Sequence, residues 1–200
     1  MRIIQLALAI GVSGLVLSGC AGSLMRDAST QEIAAATQGQ SKVVFMRSSI
    51  VLAAVGCDMF EVVDGELQYI GQLPTGKKLV YETTPGKKVF MAWGTAADFM
   101  LADIEGGKTY YSIVRPNWGT GGFAPTPIRG SSAVEPDLNS AEFQKWLSET
   151  QRIEPNEKAQ EWFSKNKDRL QGIYADYWSR FEGKTRGEKL QRTLMPQDGQ

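Results

Sequence analysis

The sequence predicts an α+β protein, an antiparallel β-sandwich followed by C-terminal amphipathic helices. Two observations carry this. Between residues 42 and 128, short runs rich in Val, Ile, Phe and Tyr alternate with Gly- and Pro-containing turns, and no helical period intervenes. From Ser140 onward the apolar residues fall instead at steps of three and four. The bulk numbers fit a packed domain, with 42% hydrophobic residues and 22 basic residues against 22 acidic ones. That balance creates no field for a nucleic-acid partner.

Lys-Val-Val-Phe-Met-Arg (42–47) reads as the first strand and the apolar, β-branched stretch 50–57 as the second. Residues 58–63 and 66–73 flank Asp64-Gly65, a type I′ hairpin signal. Pro74-Thr75-Gly76 turns the chain into residues 79–84, which Pro85-Gly86 joins to 89–93. Pro followed by Gly suits the two central positions of a type II turn, so these runs read as a hairpin. Residues 95–105 contain helix formers but lie between strands and are read as a strand. Gly106-Gly107 leads into the strand 108–115. Residues 116–130 read as a loop with an edge strand over 122–128, because Pro125 and Pro127 have no N–H for a central ladder.

At Gly130-Ser131-Ser132 the character changes. A helix is expected over 140–152, capped by Asn139 with Glu142 three residues on, and with Phe143, Trp146 and Leu147 on one face. Pro155 is placed to open a second helix. Its Ala159, Trp162, Phe163, Leu170, Ile173, Tyr174, Tyr177, Trp178 and Phe181 form one wide apolar face. So much aromatic surface has to dock, and the sandwich or the first helix is the expected cover. Gly183 and Gly187 end this helix, and the polar tail from Lys184 is expected to fray.

The first residues carry an address. Arg2 precedes a mostly apolar run, 3–17, shorter than the about 20 residues of a membrane span and suited to a secretory signal. It ends in Leu17-Ser18-Gly19-Cys20, which resembles the lipobox of bacterial lipoproteins. The resemblance implies that Cys20 is lipidated on sulfur, that the signal is cut before it, and that the new amine is acylated. Several acyl chains hold a protein to a bilayer stably where one holds it only marginally. Ala21, where an Asp would favour retention at the inner membrane, implies the outer membrane, facing the periplasm. The organisation read from the chain is a signal peptide at 1–19, a lipidated tether at 20–40, a β-sandwich at 41–130, a helical region at 131–192 and a disordered tail at 193–200. Cys57, in an apolar neighbourhood, reads as a core residue rather than a reactive thiol.

Lys-Val-Val-Phe-Met-Arg (42–47), Phe-Glu-Val-Val-Asp-Gly-Glu (60–66), Ile-Gly-Gln-Leu-Pro-Thr-Gly (70–76), Tyr-Glu-Thr-Thr-Pro-Gly-Lys (81–87) and Gly-Gly-Lys-Thr-Tyr-Tyr (106–111) resemble the sandwich domain of a family of small bacterial lipoproteins known as a domain of unknown function. The Pro-Gly turn is also similar to that of PEGA-type surface sandwiches. These motifs are turns and strands, so the resemblance implies a fold and transfers no catalytic residue.

No chemistry is announced. The absence of histidine removes the commonest general base and metal ligand, and two cysteines are too few for a thiolate zinc site. No cofactor, metal or catalytic residue is expected. Gly119-Thr120-Gly121-Gly122-Phe123-Ala124 fits a loose G-x-G-x-x-A pattern, but Pro125 and Pro127 follow where a helix is needed. Ser164-Lys165-Asn166-Lys167 spells S-x-x-K without the downstream partners of an acylating enzyme. Asp98, Asp103 and Glu105 read first as solvated carboxylates, and as a cation or acid–base site second. Trp118, in a glycine-rich loop, either covers the end of the sandwich or meets a partner. Trp162 and Trp178 are further candidates for recognition. The expected function is a lipid-anchored, non-catalytic envelope module with an envelope protein or cell-wall glycan as partner. The alternatives are a carboxylate-based wall hydrolase and an architectural subunit of an envelope complex.

Overall fold

The structure, a computed structural model, describes residues 23–131 and 136–200. The expected signal peptide and Cys20 lie outside the described residues. Strands β1 (Met25–Asp27), β10 (Gln151–Pro155), β5 (Lys77–Thr83), β2 (Ser41–Arg47), β8 (Thr109–Asn117) and β9 (Gly122–Pro127) form one sheet in that order. Strands β11 (Thr193–Leu194), β7 (Ala97–Ile104), β6 (Gly86–Trp93), β3 (Asp58–Val63) and β4 (Glu66–Gln72) form the other. Three helices, α1 (Ala141–Glu149), α2 (Glu157–Glu182) and α3 (Arg186–Gln191), complete a mostly-β α+β fold.

The burial pattern explains the layering. All seven residues of β2 are buried, so both faces of its sheet are covered. Val43 and Phe45 enter a core shared with Met59, Phe90 and Met100 of the second sheet. Val44 and Met46, on the opposite face, pack with Phe143 and Trp146 of α1. The second sheet repeats the arrangement, with Phe60, Met91 and Phe99 turned outward onto Phe163, Leu170 and Phe181 of α2. The aromatic face of α2 therefore docks on the sheet. Phe163 stacks on Tyr69 with ring centroids 5.7 Å apart, and Trp178 meets Phe99 edge-on at 5.1 Å.

The ladders are not antiparallel alone. β2 runs parallel to β8, β10 to β5 and β11 to β7. The Asp64-Gly65 hairpin forms, with φ of 52° and 82°. Pro85-Gly86 does not close a hairpin. β5 pairs with β2 and β10, whereas β6 pairs with β3 and β7, so this turn carries the chain from one sheet to the other. Gly86 does take a positive φ, 112°, but the turn fixes only a reversal and the core decides the pairing.

Residues 50–57 are not a strand. The chain makes successive turns there, leaving Ile50 82% exposed. The cause is Arg47, fully buried, whose guanidinium donates to the carbonyls of Leu52 (2.6 Å), Val55 (2.9 Å) and Leu73 (3.1 Å) and lies 4.2 Å from the Phe123 ring centroid. Carbonyls that would serve a ladder serve the cation instead. Cys57 is buried in the core between the sheets, where burial pushes its thiol pKa far up.

Both ends of the described chain are tied down. β1 pairs with β10, and Gln31 exchanges hydrogen bonds with the Arg152 backbone, so from Ser23 the chain is held rather than free as a tether. The tail does not fray. Leu194 is fully buried, Asp198 accepts from Arg129 (3.1 Å) and from the Gly130 N–H (2.9 Å), and the Gln200 N–H donates to the Thr109 carbonyl (3.1 Å). Ser140, not Asn139, caps α1, and Asn156 caps α2, with Pro155 ending β10.

If α2 is held by this aromatic packing, Phe163→Ala should lower the unfolding free energy by about 3 kcal/mol, the usual cost of emptying a buried aromatic site. Urea unfolding followed by far-UV circular dichroism measures this. An unchanged midpoint would mean that α2 does not depend on the sheet.

Candidate functional site: the Trp118 loop

The loop between β8 and β9 is narrow at its base and open at its tip. Thr95 donates its hydroxyl to the Gly121 carbonyl, and the N–H groups of Thr120 and Gly121 close turns onto the Asn117 carbonyl. Asn117 directs its amide to Asp98 Oδ2 (2.6 Å) and accepts from the Gly119 N–H at 3.0 Å. Asp98 also accepts from the Phe99 N–H (2.8 Å) and pairs with Arg192 at 3.0 Å. This buried carboxylate is thus fully employed in bracing the loop against β7 and the residue after α3.

Trp118 stands at the tip, 78% exposed, so it does not cover the end of the sheets. It borders a hollow of about 440 Å³ lined by Arg115, Asn117, Thr126 and Arg192. The Arg115 side chain has no hydrogen-bond or ion-pair partner among the described residues. Desolvation lowers its pKa, the charge of Glu142 opposes this and that of Arg192 adds to it. Arg192 gives one nitrogen to Asp98, and its buried Nη1 has no hydrogen-bond partner among the described residues. Beyond Gly119 and Thr120 a second hollow of about 330 Å³ is bordered by Tyr177, Arg180 and Lys184 near the end of α2. The loop thus has Arg115 and the Asp98-paired Arg192 on the side of the exposed indole, and Lys184 and the Asp176-paired Arg180 on the other.

The other sequence candidates lie apart. Trp162 and Trp178 are half-buried on the outward face of the second sheet, Trp162 against Tyr69 at 5.3 Å. Trp178 also borders a more apolar groove of about 520 Å³ with Lys88 and Lys189. Lys88 is paired with Glu61 (3.0 Å) and Lys189 with the Glu182 carbonyl (2.7 Å), while Lys87 and Asp103 bring charges of opposite sign to the same groove. Asp98, Asp103 and Glu105 do not converge, and Glu105 pairs with Lys108 at 2.6 Å. Among the described residues no group of three or more His, Cys, Asp or Glu is placed to hold a metal. Lys167 of the S-x-x-K sequence is paired with Glu66.

Sequence reading missed two buried carboxylates on β3. Glu61 faces inward, bonded to Lys88, Tyr81 (2.7 Å) and Thr83 (3.0 Å). Asp58 faces outward and accepts from the Tyr69 hydroxyl (3.0 Å). Opposite faces of one strand cannot flank a single glycosidic bond, so this pair does not supply the two carboxyls of a glycosidase. Arg115 and Arg192 were equally unmarked, since 77 positions of sequence separate them. Comparison with protein-family models and with curated proteins finds no match.

Burial raises the pKa of Asp58 from 3.8 to about 6, against the opposing hydrogen bonds of Tyr69 and Gln72 and the charge of Arg169. The native state then holds more protons than the unfolded state between about pH 4 and 6. Stability contributed at this site is present at low pH and lost as pH rises through that window. Asp58→Asn, neutral throughout and still able to accept from Tyr69, should gain on the parent by about 2 kcal/mol between pH 4 and pH 7. A stability difference that stays constant over this range, in urea unfolding, would show that Asp58 ionises without penalty.

Proposed function

We propose that this protein is a lipid-anchored, non-catalytic recognition module of the bacterial outer membrane, facing the periplasm, and that it meets its partner with the Trp118 end. The two packed sheets are read as a β-sandwich of the envelope-lipoprotein kind that the turn motifs resemble. The anchor rests on Leu17-Ser18-Gly19-Cys20. No helix among the described residues is long and apolar enough to cross a membrane, so acylation of Cys20 supplies the attachment in this reading.

The observation that carries the proposal is the separation of the two ends. Ser23 is fixed beside the start of α2, its carbonyl accepting from the Asn156 amide at 2.6 Å. Three residues from Cys20 to Ser23 reach at most roughly 10 Å. The Trp118 loop borders Tyr177, Arg180 and Lys184 near the other end of α2. From Asn156 to Tyr177 the helix spans roughly 30 Å at 1.5 Å per residue. An exposed indole, with the unpaired Arg115 side chain beside it, thus lies a helix-length from the attachment point, where a wall or an envelope protein is within reach.

Two variants test this in the cell. Cys20→Ser should abolish fatty-acid labelling and release the protein from membranes. Trp118→Ala should keep the parent's melting temperature and lose the envelope material recovered after in-cell cross-linking and detergent extraction. A Ser variant that keeps its label contradicts the anchor. Recovery unaffected by the loss of Trp118 contradicts the recognition surface.

A further inference from the structure

We propose that the hollow beside Trp118 takes a carboxylate-bearing sugar, with Trp118 packing on the sugar ring and the Arg115–Arg192 pair receiving the carboxylate. This rests on the reading of the Trp118 end as the recognition surface and names its ligand class.

The shape argues for a small, partly apolar ring rather than a chain. The space is about 440 Å³, with a single aromatic plane at its rim and Pro116, Asn117, Ala124 and Thr126 around it. A sugar presents a face of C–H groups to an indole and hydroxyls to the surrounding polar groups. An acyl chain would need a continuous apolar wall, and these residues do not supply one. A nucleic-acid strand needs successive stacking platforms, and Trp118 is the exposed large aromatic among the described residues.

The charge argues for an anion. The Arg115 side chain makes no hydrogen bond or ion pair among the described residues, and the charges of Glu142 and Arg192 act on it in opposite senses. Arg192 retains Nη1 beyond its pair with Asp98. Asp98 is already engaged by Asn117, the Phe99 N–H and Arg192, and its single charge does not neutralise both guanidiniums. The planar fork of arginine matches the two oxygens of a carboxylate, which favours this anion over a tetrahedral one.

The test titrates the purified full-length lipoprotein in detergent by calorimetry. The probes are an N-acetylmuramic acid disaccharide, an oligouronate, the neutral N-acetylglucosamine disaccharide and glucose 6-phosphate. At least one acidic sugar should bind tenfold or more tightly than the neutral one. Trp118→Ala and Arg115→Gln should each weaken it tenfold or more at unchanged melting temperature, with Arg115→Lys only partly restoring it. Preference for the muramic probe identifies wall glycan as the source, and preference for the uronate identifies an acidic polysaccharide. Equal binding of the neutral sugar, or preference for the phosphate, overturns the carboxylate assignment and leaves the recognition surface standing. Absence of binding by all four probes, while Trp118→Ala still abolishes cross-linked recovery, overturns the glycan class. Recovery indifferent to Trp118 removes the underlying reading itself.

Discussion

Both sheets are apolar on both faces, and this constraint organises the molecule. β2 buries all seven of its residues, and β8 its first six. A sheet of that kind cannot leave either face in water. At roughly 25 cal/mol for each Å² of apolar surface, a bare face would forfeit more than the whole net stability of an ordinary domain. The inner faces satisfy each other through a core containing Val43, Phe45, Met59, Phe90 and Met100. The outer faces require helices, and α1 and α2 supply them from the C-terminal part of the chain. The protein is therefore layered helix, sheet, sheet, helix, and the helical region belongs to the same packed body as the strands.

The same requirement places the Ser23 end and the Trp118 loop. α2 must run across the second sheet to cover Phe60, Leu67 and Phe99, so it brings its first turn beside Ser23 and its last turns beside the β8–β9 loop. The return of the chain after α2 adds β11 to β7 and delivers Arg192 to Asp98. The cation beside Trp118 thus comes from residues that complete the sheet edge. The Asp98 carboxylate joins β7, the loop and the chain end into one unit.

Much of the strand order was legible because turn chemistry is local. Asp64-Gly65 marked its hairpin, and Pro125 and Pro127 marked β9 as an edge strand. The aromatic face of α2 was legible because its period is helical over many turns. What failed depended on distant partners. Residues 50–57 look like a strand until Arg47 withdraws their carbonyls, and Pro85-Gly86 looks like a hairpin until its two strands join different sheets. β10 carries one buried apolar residue, Ile153, too little for a period to register. The tail is polar in composition yet is held by Arg129 and Asp198, partners 69 residues apart. At the candidate site only Trp118 had a local signal, an aromatic among glycines. Arg115 and Arg192 acquire meaning only when folding brings them to one hollow.

The central claim is spatial: the attachment point and the recognition surface lie at opposite ends of α2. Its most direct test places a dye at position 158, in the first turn of α2, or at position 120, beside Trp118. The labelling uses cysteine substitutions, since Cys57 is buried. The lipidated protein is then reconstituted in vesicles bearing a headgroup-attached quencher. The account predicts strong quenching at 158 and weak quenching at 120, consistent with a difference in height of roughly 30 Å along the helix. Equal quenching at the two positions, or stronger quenching at 120, would contradict it.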